Sequence, residues 1–343
     1  MKTSFRSLFC TSWFSLALAA SGAEGPYHLV KEIPVGGQGG WDYLYADSAA
    51  QRLYVSHATK VVVIDLSKDE VVGEVSDTPG VHGIAVAPAL QRGFSSNGRE
   101  NKVSVFDLKT LQTSKKVDTG ENPDAILFEP KHSEVYAFNG RSHSASVIGA
   151  ESLEVVATIE VGGKPEFATC DPEAGRIYNN LEDKSAVAVI DTATHKVLET
   201  WPIAPGESAS GMALDAAHHR LFLGCDNKMM VMMDNTTGKV LTQVPIGSGV
   251  DANGFDPGTQ LAFASCGDGT VTIAHEDAPD KLTVVQTLKT EPRSKTMALD
   301  PATHKIYLGA AKFEAATPAQ KRPAAVPGSF RILVYGMDKA PGS

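Results

Sequence analysis

One spacing recurs seven times in this chain of 343 residues, and it leaves little freedom in what the chain can fold into. In each copy a short apolar run ends at a bend residue, and an aromatic stands seven residues later. The bend residues are Asp47, Ala87, Glu129, Asp171, Asp215, Asp256 and Asp300, at successive intervals of 40, 42, 42, 44, 41 and 44. The aromatics are Tyr54, Phe94, Tyr136, Tyr178, Phe222, Phe263 and Tyr307. Aromatics make up 7% of the sequence, so seven coincidences at one offset are not chance.

Each copy continues with a Val- and Ile-rich run, such as KVVVIDL (60–66) or SAVAVID (185–191). A fourth run follows, as in EVVATIEV (154–161), across links with turn chemistry such as Asp234-Asn235-Thr236-Thr237-Gly238. Four short antiparallel strands every 42 residues or so define a β-propeller blade. A lone blade exposes two apolar faces, and a ring of seven covers them all. Hydrophobic residues, at 42% of the chain, suffice for that core. The last copy lacks a fourth strand, and YHLVKEIPV (27–35) is free to supply it. The expectation is therefore an all-β, seven-bladed propeller over residues 24–343, closed by the N-terminal strand pairing into the C-terminal blade and leaving no open edge there.

The segments LYVSH (53–57), VVVIDLSKDEVV (61–72) and AVAVIDTATHKVLETWPI (186–203) resemble the YVTN-repeat, or YncE-like, propellers. The resemblance spans essentially all of the chain beyond residue 23. It implies the fold. Propellers of this kind include surface-layer proteins, electron-transfer partners, nucleic-acid binders and, more distantly, lactonases and lyases, so it implies no single function.

Residues 1–23 read as a secretory signal peptide: Lys2 and Arg6, then an apolar run from about Leu8 to Ala20, then the small residues Ser21, Gly22 and Ala23. The expected location is periplasmic or secreted, without a membrane span once the leader is removed. The net charge of −9 becomes −11 when Lys2 and Arg6 leave with the leader. An acidic protein gains no general attraction to nucleic acid or anionic lipid.

Position five before each bend residue starts the innermost strand, which lines the central channel. It is occupied by Asp42, His82, Asp124, Glu166, Ser210, Asp251 and Lys295. The repeat holds bend and aromatic constant and leaves this position diverse, so these side chains are expected at the channel mouth as a ligand-binding ring. The plainer alternative is a set of solvated groups lining a water-filled channel. Oxygen-rich rings suit divalent metal ions, and His82 admits a transition metal. Without a cation, crowding raises carboxyl pKa values and suits acid–base roles. A second ring is expected three residues after each aromatic: His57, Asn97, Asn139, Leu181, Cys225, Cys266 and Ala310. His57 would then join Asp42, His82 and Asp124 in a two-His, two-Asp metal cluster. Trp41 and Arg141 are further candidate ligand contacts, and His143 is a weaker one. His195, His218 and His219 read as solvated residues on the other face or the rim.

Cys225 and Cys266 hold equivalent places on adjacent blades, about 10 Å apart as packed sheets are, too far for a disulfide. Cys170 and the Met229–Met233 stripe read as core. Residues 310–328 form an Ala- and Pro-rich insertion in the last blade, expected to be loose or extended beside the mouth, with Lys312, Lys321 and Arg322 to place over it. No G-x-S-x-G, C-x-x-C-H or H-E-x-x-H motif occurs. The leading reading is a monomeric binding or scaffolding module for a ligand or protein partner at the mouth. The alternative is a lactonase-like, metal-dependent hydrolase or lyase built on the same ring. A second alternative is single-stranded nucleic acid binding, with Trp41, Tyr43 and Phe167 as stacking platforms.

Overall fold

The computed structural model describes residues 25–315 and 323–337. The expected signal peptide, residues 1–23, and Lys321 and Arg322 lie outside these residues. The described residues form 28 strands in seven four-stranded antiparallel sheets, arranged as the blades of a β-propeller. Apart from two single 3-10 turns, Pro88–Leu90 and Glu182–Lys184, helix is absent among them. Blade 1 shows the pattern: inner strand Trp41–Asp47, then Arg52–His57, Lys60–Asp65 and the outer strand Glu70–Val75. The inner strands of blades 2 to 6 are Val81–Ala87, Pro123–Glu129, Pro165–Asp171, Ala209–Asp215 and Val250–Asp256.

The bend residue is acidic in six blades for a local reason. Its carboxylate accepts hydrogen bonds from backbone amides two or three residues on, as Asp47 does from Ala50, Glu129 from Lys131 and His132, and Asp171 from Ala174. This satisfies donors that the hairpin turn leaves free. Four residues after each bend the chain turns left-handed, at Gln51, Gln91, Ser133, Gly175, His219, Gln260 and His304, a turn that suits a short hairpin loop. Ala87 has no carboxylate, and the Pro88–Leu90 turn takes over there.

The repeated aromatic is the wedge between blades. All seven are at most 2% exposed. Each core cluster joins adjacent blades, as where Tyr178, Val187 and Val189 of blade 4 pack with Met212 and Leu221 of blade 5. Burying one such side chain contributes about 1.5–3 kcal/mol. Blade 7 consists of Met297–Asp300, Lys305–Ala310 and Arg331–Met337, with Tyr27–Pro34 as its outer strand. The pairing runs from Tyr27 opposite Met337 to Pro34 opposite Arg331, so the expected closure is present. Gln286 of blade 6 holds Tyr27 at both its backbone N–H and its carbonyl, which fixes the closing strand against its neighbour.

Candidate functional site at the channel mouth

In six blades the inner strand is irregular at its first residues. The register between inner and second strand shifts between Trp41 and Leu44, Val81 and Ile84, Pro123 and Ile126, Pro165 and Ala168, Ala209 and Met212, and Val250 and Ala252. Each shift contains the ring residue. A bulge re-aims a side chain without ending the strand, and here it turns Asp42, His82, Asp124, Glu166, Ser210 and Asp251 toward the channel. Lys295 precedes its strand, which begins at Met297.

The ring is a coupled set of charges. His82 Nδ1 lies 2.6 Å from Asp42 Oδ2 and 3.6 Å from Asp124 Oδ1. Burial works against the imidazolium, but the Asp42 hydrogen bond and the charges of Asp124, Asp42 and Glu166 outweigh it and push His82 up to about 9. Burial raises Asp124 to about 6, with His82 pulling the other way. Burial and then the Asp124 charge push Glu166 up to about 7, against the pull of Lys164. Lys295 Nζ sits 2.7 Å from Asp251 Oδ1. Burial opposes its ammonium, and the Asp251 carboxylate holds it charged.

The mouth narrows into an aromatic floor. Tyr43 and Phe167, from blades 1 and 4, reach across the channel until their rings are 5.6 Å apart. A small cavity of about 80 Å³ lies beside them, lined also by Ile84, Ala125 and Ile126. Burial raises the Tyr43 hydroxyl well above its usual range, and Asp124, Glu166, Asp42 and Asp251 add to the effect. The Tyr43 hydroxyl therefore lies within the field of four mouth carboxylates.

The expected second ring is not at the mouth. His57, Asn97, Asn139, Leu181, Cys225, Cys266 and Ala310 are all at most 1% exposed. Six of them end the second strand opposite the first inner-strand residue, as His57 opposite Trp41 and Asn97 opposite Val81. Alternation along a strand then turns them into the blades. The next residue is charged in two blades, Glu182 and Asp226, and these lie among the mouth's charged groups instead. Lys164 bonds both Glu182 and Glu166. Their signal in the sequence was the same repeat, read one residue further on. At the same offset Gly98 leaves room for His82: a Cβ there would lie 2.7 Å from His82 Nε2.

His57 does not join the cluster. Its ring packs against Phe330 at 4.5 Å, and neither nitrogen makes a hydrogen bond of ordinary geometry. Burial and then Lys60 lower its pKa, so a neutral, buried imidazole sits in the blade. The compact metal-competent trio is Asp42, His82 and Asp124, whose ligand atoms lie within 4.8 Å of one another. Trp41 stacks on Phe330 at 4.8 Å and meets Phe313 at 6.2 Å, which takes it out of the channel. Phe313 lies in the insertion and Phe330 just beyond its end. The stems of the insertion are held rather than loose, through a Phe313–Ala325 bridge, backbone hydrogen bonds between Lys312 and Val326, and Arg293 4.3 Å over the Phe313 ring. Arg141 and His143 are exposed on a blade 3 loop.

Cys170, Cys225 and Cys266 are free thiols, and burial pushes each up to about 12. Cys225 and Cys266 are buried as expected, and Cys170 is half-buried, packed against a core cluster on one side and lining a cavity on the other. Met230, Met232 and Met233 are fully buried core. His195 is not free in solvent, because its Nε2 lies 2.8 Å from Glu134 of the neighbouring blade.

The fold and mouth together define a seven-bladed propeller with an acidic, aromatic-floored cup. No protein-family model matches the chain, and no curated protein matches it.

Proposed function

We propose that this protein is a binding propeller whose channel mouth takes a cationic organic group, such as an amine or guanidinium. The observation that carries the reading is a ring holding Asp42, Asp124, Glu166 and Asp251, whose charges all act on the Tyr43 hydroxyl, above the Tyr43–Phe167 contact. Burial and mutual repulsion keep Asp124 and Glu166 above the usual carboxyl range. A bound cation relieves that repulsion, and an aromatic floor suits its alkyl or planar part. Residue resemblance favours a YVTN-repeat propeller, and the leader-like residues 1–23 favour a periplasmic or secreted site of action. Agmatine, which carries both cationic groups, is a direct probe. Calorimetry should show saturable binding to the wild type and its loss in Glu166→Gln with Asp124→Asn. Absence of binding to the wild-type protein would remove the proposal.

The compact Asp42–His82–Asp124 trio favours a second reading, a metal-dependent hydrolase or lyase. Binding a metal there would release the His82 proton, so uptake should weaken as the pH falls. Plasma mass spectrometry on wild type and on His82→Ala with Asp124→Ala separates the readings: a stoichiometric metal lost only in the variant supports the enzyme. Nucleic acid binding gains nothing from the structure, because Trp41, Tyr43 and Phe167 pack against other rings rather than forming an open platform.

A further inference from the structure

A second cluster of two carboxylates and one histidine lies at the other end of the inner strands. Asp215 ends the inner strand of blade 5, so along the strand it is roughly 17 Å from the mouth residue Ser210. Its Oδ1 accepts the amides of Ala217 and His218, and its Oδ2 lies 2.6 Å from His218 Nδ1. This much is the ordinary bend of the repeat. In other blades the residue three after the bend likewise satisfies the carboxylate, as Thr303 does for Asp300 and His132 for Glu129.

Blade 6 adds something the other blades lack. Its third strand, Thr270–Ala278, runs to nine residues where that strand has six in blades 1 to 5. The residue whose N–H bonds the carbonyl of the left-handed turn residue is Leu66, Leu108, Ala150, Thr192 and Asn235 in blades 1 to 5. In blade 6 it is Glu276, bonded in the same way to Gln260. Four of the five equivalents are buried, and none of the five carries a charge. Glu276 is 4% exposed, and among the described residues no amide, hydroxyl or cationic side chain donates a hydrogen bond to its Oε2, which has the Asp215 carboxylate near it.

A buried, unpartnered carboxylate oxygen is costly unless something completes it. The nearest cation, Arg220, does not. Its guanidinium donates to the carbonyls of Pro279 and His219 and to Asp234. Asp215 and Glu276 bring two carboxylates together, an arrangement that either a shared proton or a shared cation must relieve. One ligand atom from each of Asp215, His218 and Glu276 falls within 4.8 Å of the other two. A cavity of about 190 Å³ opens beside them, lined by His218, Gln260, Glu276 and Asp277. The Asp277 carboxylate is already held by His275, Thr283 and Lys281.

We propose that Asp215, His218 and Glu276 form a divalent-cation site between blades 5 and 6, with its open coordination positions facing that cavity. Two carboxylates balance the charge of the ion. The imidazole favours the Mn²⁺–Zn²⁺ class over Ca²⁺ or Mg²⁺. Binding deprotonates the cluster, and the protons leave to solvent.

The test is equilibrium dialysis of metal-stripped full-length protein against Zn²⁺, Mn²⁺ and Ca²⁺, with bound metal counted by plasma mass spectrometry. The wild type should take up one equivalent of Zn²⁺ or Mn²⁺ at this site and raise its melting temperature on doing so. Glu276→Gln, which keeps the volume, and His218→Ala, in an exposed turn, should each weaken binding at least about tenfold, as losing a metal ligand does. Asp124→Asn at the mouth should leave that equivalent in place. Unchanged uptake in both rim variants, no saturable uptake by the wild type, or loss of the metal in Asp124→Asn alone would each overturn the site.

Discussion

The mouth and the blade 5–6 rim each bring together two carboxylates and a histidine, yet they solve the electrostatic problem differently. At the mouth, His82 stands between Asp42 and Asp124, and all three side chains keep 21–31% of their surface. A proton on His82, with Lys164 and Lys295 nearby, offsets part of the charge. At the rim, Asp215 and Glu276 are 3% and 4% exposed, His218 bonds only the first, and one oxygen of the second is left over. The lesson is that residue composition does not distinguish a solvated polar ring from an unfinished coordination sphere. The unpaired oxygen does.

The largest expected effect tests the rim. Glu276→Leu restores the kind of residue that Leu66 and Leu108 supply in blades 1 and 2. In metal-free buffer at neutral pH it should stabilise the fold by about 2 kcal/mol, as replacing buried charges with apolar side chains often does. Urea unfolding measures this. A destabilised variant would mean that Glu276 is already satisfied, by a proton shared with Asp215.

A comparable but smaller effect tests the mouth by pH. The Glu166 carboxyl rises from about 4.5 unfolded to about 7 folded. The folded state therefore binds the extra proton between those values. The associated stability is fully present below about 4.5 and is lost as pH rises through 7. The whole shift corresponds to at most about 3.4 kcal/mol, and the partial exposure of the carboxylate brings it to about 1.5. Chemical denaturation from pH 4 to 8 should show a flatter profile in Glu166→Gln by that amount. Parallel profiles would remove the electrostatic picture of the ring.

The same logic applies with the opposite sign of charge to His82, held up at about 9. Its stabilising contribution is complete below about 6.5 and is lost as pH climbs through 9. Asp42→Asn removes the hydrogen-bonded carboxylate and should lower the His82 titration midpoint, followed by NMR, by about one unit or more. A midpoint that stays put would assign the shift to Asp124 and Glu166 instead.

How much of this the sequence discloses depends on whether a feature repeats. The bend carboxylates and aromatic wedges are legible because seven copies impose one offset, and the ring residues are legible because they stand at a fixed distance from the bend. The second ring is misread because neighbouring residues on a strand face opposite ways. His57, Cys225 and Cys266 point into the blades, while Glu182 and Asp226, one residue after two equivalents, lie among the mouth's charged groups. Trp41 is misread because what packs on it, Phe313 in the insertion and Phe330 just beyond it, follows no repeat. The rim cluster joins two blades through a residue that breaks the pattern. Its trace in the sequence is Glu276 standing where the other blades have Leu66, Leu108, Ala150, Thr192 and Asn235.

The smallest expected change in stability separates function from folding most cleanly. Lys295 pairs with Asp251 at 2.7 Å, but half of its side chain remains exposed. Such a pair contributes less than about 1 kcal/mol, so Lys295→Met should unfold within that margin of the wild type. Its effect on binding should be larger and opposite in kind. Removing one of the mouth's fixed cations leaves Asp251 without its counter-ion and strengthens the field that draws in a positive ligand. Agmatine should then bind a few-fold more tightly, with the gain shrinking as salt is raised because exposed charges are screened. A weaker complex would mean that the Lys295–Asp251 pair positions the ligand rather than competing with it, and would overturn the simple field picture of the mouth.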